Sequence, residues 1–512
     1  MTRKILCLLA VFFLFCSSFI CHAEEEMITI TESPITVTYN GDAVVFPDAK
    51  PTVSNGRTLV PARAIMERAH LTVEFDAPAK TVVASKDSLS IKMPLGGTTA
   101  EIVRNGESKT VTLDEPARLI QDRTYVPVRF LAESLGIKVN WNPYAKEVVL
   151  IDTAEWKQEI ASRSHYLNFL FDKPFIPNKP EAGSSAANIS LQYAAQGIPD
   201  ADGVPKNRSA EVSLSSTATR VFDGKKGGSF SSVQADFSQL NNIDVEFLKL
   251  LFSTHDMEAL SKLAKSHNLE IDSIYDTSKT THIKSTGLSA ICNDFEQTAL
   301  AEQMAKNYVA FQPDELYSLF FTDFGVSNAS EVLLNAKSEW DLLEKLIERD
   351  DMLYTRSVQS IDALLKAYTD LFDDSLFTIS RHWDGTYIRQ YRPKEAELKD
   401  KLLEISALRN VINGTPLDDA TYENHKNILK NTTVNLQISM FLKEKDGSPV
   451  KTETSFTVNM NNQPIPYIEG ATRQFKLEMQ TGESTRDFEA KRDRRILLPK
   501  NSVPFAELYK EQ

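Results

Sequence analysis

Two stretches of this sequence are near copies of each other: Arg57-Thr58-Leu59-Val60-Pro61-Ala62-Arg63 and Arg123-Thr124-Tyr125-Val126-Pro127-Val128-Arg129. The likeness continues without gaps, so residues 57–84 align on residues 123–150 at a constant offset of 66. Of these 28 positions, 11 are identical, where chance would give roughly two for such a composition. We infer a duplicated domain over residues 30–152, with copies at about 30–88 and 89–152.

Each copy carries the signals of a hairpin, a short helix and a second hairpin. Asn-Gly pairs at 40–41 and 105–106 supply the positive φ angles that a tight hairpin turn needs. Pro61 and Pro127 suit the first helical position, which requires no backbone N–H. Apolar and polar residues then alternate, as they do in half-buried strands. The pattern predicts two small α+β units that pack against each other.

The repeated motif contains polar and proline positions that we interpret as structural: Arg57, Pro61, Arg63, Glu67, Arg123, Pro127, Arg129 and Glu133. Each helical arginine can pair with the glutamate one turn later, which is worth a few tenths of a kcal/mol. Alternatively, its guanidinium bonds loop carbonyls between the hairpins. Ligand contact by Arg57 or Arg123 beside the turns is a third hypothesis.

Phe75 and Trp141 occupy one repeat position. A shared aromatic position predicts core packing, and a sugar-stacking surface is the alternative.

The paired Arg-Thr-x-Val-Pro-x-Arg boxes and the hairpin Asn142-Pro143-Tyr144-Ala145-Lys146 resemble the copper amine oxidase N-terminal-like domain. The resemblance covers about residues 30–152 and implies a small α+β module, usually non-catalytic, found in many exported proteins of thick-walled bacteria. Such an oxidase would need a Thr-x-x-Asn-Tyr-Asp/Glu motif and a His-x-His copper pair. Asn307-Tyr308 is followed by Val309, and the eight histidines form no such pair. We therefore expect neither amine oxidase activity nor a bound metal or cofactor.

The first 23 residues have the order of a secretory signal peptide. Arg3 and Lys4 precede an apolar run, and a small-x-small site ends at Ala23, where we predict cleavage. Cleavage would leave Cys292 as the only cysteine, so no internal disulfide is expected. We predict a secreted protein without a membrane span, associated with the cell wall or free outside the cell.

The remaining sequence predicts a second α+β domain. Residues 153–185 are interrupted by prolines and are predicted to be a linker, and residues 186–512 to form an antiparallel sheet with a mainly helical section at about 245–412. The strand pattern is similar to carriers of the lipoprotein-localisation type, which implies a sheet around an apolar ligand. Whether 186–512 is one domain or two stays open.

Few residues of this second part suggest chemistry. The cluster His382-Trp383-Asp384 places an aromatic ring beside two titratable groups; we interpret it as loop packing, with a ligand site as the alternative. No nucleophile elbow, metalloprotease motif or phosphate-binding loop is present in the sequence. The formal charge of −13 argues against nucleic acid as a partner.

These observations favour an exported, non-catalytic protein. Its repeat domain would serve adhesion or spacing, and its larger domain would bind a wall polymer, an apolar ligand or an envelope protein. A hydrolase with an unrecognised site in residues 186–512 and a purely structural envelope component are the alternatives. The sequence determines neither the ligand nor the oligomeric state.

Overall fold

A computed structural model describes the chain from residue 35 to residue 508. The undescribed residues within and around this span are 1–34, 175–176, 178, 200–201, 244–261, 277–279, 313–335, 350–352, 413–417, 444–448, 466–467, 488, 490–496, 500 and 509–512. The predicted signal peptide, with its cleavage site at Ala23, therefore lies outside the described residues.

The chain forms two compact units. The repeat unit contains the described residues of 35–168 together with the described residues of 343–369, which we call the returning segment. The large-sheet unit contains the described residues of 169–342 and 370–508. The chain thus enters the repeat unit a second time, from within the region assigned by sequence to the second domain.

The repeat unit is built from short strands and short helices. Its strands are β1 Thr36–Tyr39, β2 Asp42–Ala43, β3 Thr52–Ser54, β4 Arg57–Pro61, β5 Thr72–Asp76, β6 Thr81–Lys86, β7 Leu89–Pro94, β8 Thr99–Arg104, β9 Glu107–Thr112, β10 Arg118–Ile120, β11 Arg123–Pro127, β12 Lys138–Asn142 and β13 Glu147–Ile151. Its helices include α1 Ala62–Arg68, α2 Val128–Leu135 and α3 Thr153–Arg163, which is followed by α4 His165–Asp172. The returning segment contains most of α7 Glu339–Arg349 and of α8 Thr355–Leu371.

The two copies are related by an approximate twofold axis. Strands β4 and β11 pair antiparallel, with Val60 directly opposite Val126. These two valines are the same repeat position, because they are 66 residues apart. An antiparallel pair centred on equivalent residues places a twofold axis between them. The duplication is therefore built into the backbone of the sheet β10-β11-β4-β3.

The copies also exchange strands. β1, from the first copy, pairs with β13 of the second copy in the sheet β12-β13-β1-β2. β7, β8 and β9, from the second copy, extend the β5–β6 hairpin of the first copy in the sheet β5-β6-β7-β8-β9. The apolar residues of both copies meet in one core, which includes Tyr39, Ile65, Met66, Ile91 and Leu131, each fully buried. Neither copy encloses this core alone.

The returning segment covers the outer face of the sheet β12-β13-β1-β2. The Thr38 hydroxyl lies 2.9 Å from that of Thr355, and the Asn140 side-chain amide donates to the Leu353 carbonyl at 3.1 Å. Val149 lies between Thr38 and Asn140 in the sheet register and is fully buried. Strands β1 and β13 are consequently buried on both faces over most of their length, with polar pairs on the outer face.

The stretch predicted as a linker also has regular structure. It contains α3, α4 and the start of the first strand of the large-sheet unit. The indole N–H of Trp156 on α3 donates to Asp362 of the returning segment at 2.8 Å. Asp152 caps α3 by accepting from the Glu155 amide, so the helix begins with a side-chain cap.

The large-sheet unit is dominated by long antiparallel strands. These are β14 Glu181–Pro199, β15 Pro205–Phe222, β16 Lys226–Asp236, β17 Ser266–Asp276, β18 Thr281–Lys284, β19 Tyr308–Phe311, β20 Phe377–Arg381, β21 Tyr387–Tyr391, β22 Thr432–Leu442, β23 Pro449–Pro464, β24 Thr472–Asp487 and β25 Ser502–Pro504. They form one twelve-stranded sheet in the order β20-β21-β22-β23-β24-β14-β15-β16-β17-β18-β19-β25. The described helices of this unit also include α5 Thr286–Asp294, α6 Thr298–Lys306, α9 Glu395–Ile412, α10 Asp419–Lys430 and α11 Phe505–Leu508.

The predicted α+β class is confirmed, and the predicted helical section differs in detail. Strands β17 to β21 lie between residues 245 and 412, a section predicted to be mainly helical. In β17, for example, the alternate residues Leu269 and Ile271 pack in one apolar cluster, as expected for one face of a strand. Cys292 is half-buried against the same cluster, and burial raises the pKa of its thiol. No helix among the described residues is long and apolar enough to cross a membrane.

Candidate functional site

The two equivalent hairpins β5–β6 and β12–β13 end in turns of the same construction. In the first, the Asp76 carboxylate accepts from the Ala79 amide at 3.1 Å. In the second, the Asn142 side chain accepts from the Tyr144 amide at 3.1 Å. A side-chain oxygen that bonds nearby amides fixes such a turn. Each hairpin therefore presents a defined tip.

Aromatic rings are exposed on these hairpins. Phe75 is 48% exposed, Trp141 is 42% exposed, and Tyr144 at the second tip is 80% exposed. The prediction that Phe75 and Trp141 are core aromatics is wrong. Their partners across the hairpin, Val82 and Val148, are buried in the core, whereas β5 and β12 are the outermost strands of their sheets and leave one side of each ring uncovered.

Arg57 and Arg123 form reciprocal ion pairs between the copies. Arg57 Nε donates to Asp114 at 2.9 Å, and Arg123 Nε donates to Asp48 at 3.1 Å. Both the arginines and the aspartates are 66 residues apart, so the two pairs obey the same twofold relation as Val60 and Val126. All four side chains are about half exposed, and such pairs contribute little to stability.

The helical arginine and glutamate of the repeated motif have different contacts in the two copies, whereas the two prolines have the same role. Arg63 and Glu67 lie 3.9 Å apart and are both well exposed. Arg129 and Glu133 form no corresponding ion pair within the described residues. Pro61 and Pro127 close strands β4 and β11 and act as helix N-caps, so each helix begins one residue later than the proline.

The cluster His382-Trp383-Asp384 forms the turn between β20 and β21. Asp384 accepts from the Thr386 amide at 2.9 Å and from its hydroxyl at 2.7 Å, and these bonds lower the pKa of the Asp384 carboxyl. His382 Nδ1 lies 3.3 Å from Asp384. Trp383 is 89% exposed. The cluster is a rigid turn that displays an indole ring.

The twofold pairing, the exchanged strands and the two hairpins together define the repeat unit as one folded module. Residues 38–150 match the family model of the copper amine oxidase N-terminal domain. The match covers less than a quarter of the 512-residue chain. It concerns the N-terminal domain of that family and none of its catalytic part. No curated protein matches the chain.

A polar network joins the segment that matches this family model to helix α3. The fully buried Tyr39 donates to Asp152 at 2.5 Å, and its burial, followed by the charge of Asp152, raises its pKa. Glu155 accepts from Asn40 at 2.8 Å and from Arg68 at 2.7 Å. The sequence analysis missed this network, although Asp152-x-x-Glu155 is a recognisable capping signature.

The described residues supply little that could hold a metal ion. They contain no group of three or more His, Cys, Asp or Glu side chains with suitable spacing. The carboxylates of the polar network already accept hydrogen bonds from Tyr39, Asn40 and Arg68. We therefore interpret the network as structural. Among the described residues, the two hairpins of the repeat unit together carry three exposed aromatic rings.

Proposed function

We propose that this is an exported, non-catalytic protein of the cell envelope whose repeat unit binds a cell-wall polymer. The observation that carries the proposal is the exposure of Phe75, Trp141 and Tyr144 on two equivalent, rigid hairpins. Aromatic side chains bring a large apolar area to a contact. Because these rings are about half exposed or more, much of their apolar area is accessible to a binding partner.

The chemistry of a wall glycan suits these side chains. Sugar rings present flat faces of C–H groups, which pack against aromatic rings, while their hydroxyls stay in water. Trp141 and Tyr144 belong to one hairpin and Phe75 to its equivalent, so a polymer of repeating sugars offers the same kind of contact to each hairpin. Two linked contacts raise the overall affinity well beyond that of either one.

The net charge of the protein restricts the class of wall polymer that it is expected to bind. The chain carries a formal charge of −13, which opposes contact with the anionic polymers of a wall. A neutral glycan strand avoids this repulsion. The proposed contact is therefore apolar stacking on sugar rings, and we expect it to depend weakly on salt, in contrast to an ionic contact.

Co-sedimentation with purified cell walls tests the proposal. The full chain without residues 1–23 is mixed with walls over a series of salt concentrations, and the double variant Trp141→Ala/Tyr144→Ala is compared with the wild type. We expect the affinity to fall roughly tenfold, about 1.4 kcal/mol. Phe230→Ala is the matched control, because Phe230 is a 40% exposed ring of the large-sheet unit.

Three results would contradict the proposal. The wild type could fail to sediment with walls, the double variant could bind as well as the wild type, or Phe230→Ala could lose binding to the same extent. A strong loss of binding at high salt would indicate an ionic contact instead of stacking. Circular dichroism of each variant establishes that it remains folded.

A further inference from the structure

A cavity lies on one face of the twelve-stranded sheet, over strands β15, β16 and β17. Its volume is about 330 Å³, and its lining includes Val221, Gly228, Phe230, Ile274 and Leu497. All of these residues belong to the large-sheet unit. Pockets for small ligands have volumes from roughly 300 Å³ upward and are lined mainly by apolar side chains. The cavity has the size and the lining of such a pocket.

The register of the sheet explains why a hollow forms at this point. Val221 lies opposite Gly228, and Gly228 lies opposite Ile274. Residues directly opposite each other share a face of the sheet. A residue without a side chain therefore stands between two branched ones, whose backbones are roughly 9–10 Å apart because neighbouring strands are about 4.8 Å apart. A glycine inside a strand often marks a place where a ligand approaches the backbone closely.

The apolar lining is a local feature of a face that is polar elsewhere. Asn188, Ser215 and Gln234 form one row across β14, β15 and β16 on the same face, and all three are exposed. At the cavity, by contrast, Phe230 is 40% exposed and Leu497 is 60% exposed. Clustered exposed apolar side chains mark binding sites, whereas scattered ones need no explanation. These two side chains belong to such a cluster, because both line one cavity.

A hydrogen-bonded pair gives the cavity a polar end. Tyr308 and Asp272 also line it, and the Tyr308 hydroxyl donates to the Asp272 carboxylate at 2.8 Å. Arg220 contributes to the lining as well, but its guanidinium pairs with Glu483. A carboxylate accepts several hydrogen bonds through its two oxygens, and a tyrosine hydroxyl accepts as well as donates. The polar end therefore suits a ligand group that donates a hydrogen bond.

We propose that this cavity binds a small apolar molecule that carries a hydroxyl group. The apolar body lies over Gly228, between Val221 and Ile274, and the hydroxyl donates to the Asp272 carboxylate. A water-sized group takes about 30 Å³, so the cavity has room for roughly ten such groups. That volume suits a small molecule and is far too small for a folded partner. This binding is a second function, which does not depend on the contact of the repeat unit with a wall polymer.

Fluorescence titration with 2-naphthol tests the proposal, because this probe is a small apolar molecule with one hydroxyl. The full chain without residues 1–23 should bind it at one saturable site. Gly228→Val places a branched side chain in the hollow, and the φ angle of Gly228 is not in the positive range, so the strand backbone accepts valine. We expect the dissociation constant of this variant to rise at least roughly tenfold.

Gly482→Val is the matched control for this substitution. Gly482 lies on the same face of the sheet in β24, and an added Cβ there would lie 4.0 Å from the Thr452 carbonyl oxygen. A second test removes an exposed part of the lining. Leu497→Asp should also weaken binding, whereas Leu119→Asp should not, because Leu119 is 58% exposed in the repeat unit.

Displacement of the probe tests the polar end. 1-Octanol and 1-methoxyheptane are isomers, and only the first has an O–H donor, so 1-octanol should displace 2-naphthol at a concentration at least roughly threefold lower. Equal displacement by the two isomers would overturn the assignment of the polar end. A wild type that does not bind 2-naphthol would overturn the whole proposal, as would equal effects of each test variant and its control. If circular dichroism shows that Gly228→Val is misfolded, the surface pair Leu497→Asp and Leu119→Asp decides.

Discussion

Replacing Val149 by alanine should measure how firmly the returning segment covers its sheet. Val149 is fully buried on the outer face of β13, between two residues that hydrogen-bond to the segment. Val83 is the equivalent position of the first copy and is only partly buried. The two substitutions are chemically identical, so Val83→Ala serves as the internal control.

The expected magnitudes follow from burial. Valine to alanine removes the equivalent of two methylene groups, each worth about 0.8 kcal/mol when buried. At Val149, which the returning segment covers, the substitution also leaves a closed cavity. The expected loss of unfolding free energy there is therefore roughly 2–3 kcal/mol. At Val83 water reaches the site and no closed cavity forms. We expect a cost of about 0.5–1 kcal/mol there.

Native-state hydrogen exchange is the suitable assay, because a chain of two units need not unfold in one step. Exchange of the amides of β13 and of α8 in the Val149→Ala protein should accelerate by roughly thirtyfold or more, as 2 kcal/mol implies. The amides of the large-sheet unit should be unaffected. Equal effects of Val149→Ala and Val83→Ala would refute the reasoning, because they would mean that no packed layer covers β13.

Three further predictions concern single groups. Tyr39→Phe removes the bond to Asp152 and should lower the free energy of opening at the β1 amides by about 1.5–3 kcal/mol, measured by native-state hydrogen exchange; no loss would mean that water replaces the hydroxyl. Gly227→Ala should destabilise the large-sheet unit by at least about 1–3 kcal/mol, because a Cβ there would lie 1.9 Å from the Tyr275 ring; in a Tyr275→Ala background the same glycine substitution should cost much less, and an equal cost in both backgrounds would contradict this cause. The Asp384 carboxyl has a lowered pKa. Its stabilisation of the turn is therefore present above the pKa of the unfolded state and is lost as the pH falls through the pKa of the folded state. Amide exchange in the β20–β21 turn should accelerate only in that acidic range, and Asp384→Asn should remove this pH dependence.

Much of the repeat unit could be predicted from sequence because its signals are local. The duplication, the Asn-Gly turns and the two short helices depend on residues that are near one another in the chain. The small apolar face of a single copy also indicated that the two copies would associate. It could not show that they exchange strands, since β1 and β13 meet across more than a hundred residues.

The candidate site was only partly predictable. Phe75 and Trp141 were identified as equivalent, but their exposure depends on β5 and β12 being outermost in their sheets, which is a property of strand order. An alternating strand looks the same in sequence at the edge of a sheet and at its centre. The hairpin position of His382-Trp383-Asp384 was recognisable in the sequence, whereas its place at one end of the order of described strands was not.

The sequence by itself determined the repeat, the turn positions and the α+β class, because periodicity and turn chemistry act over a few residues. One further signal was present: β13 reads Val148-Val149-Leu150-Ile151 where the first copy has Val82-Val83-Ala84-Ser85. A continuous apolar run indicates a strand covered on both faces. Only the tertiary structure decided that residues 343–369 provide the cover, because apolar burial is non-directional and the partner is selected by matched polar groups such as Asn140 and the Leu353 carbonyl.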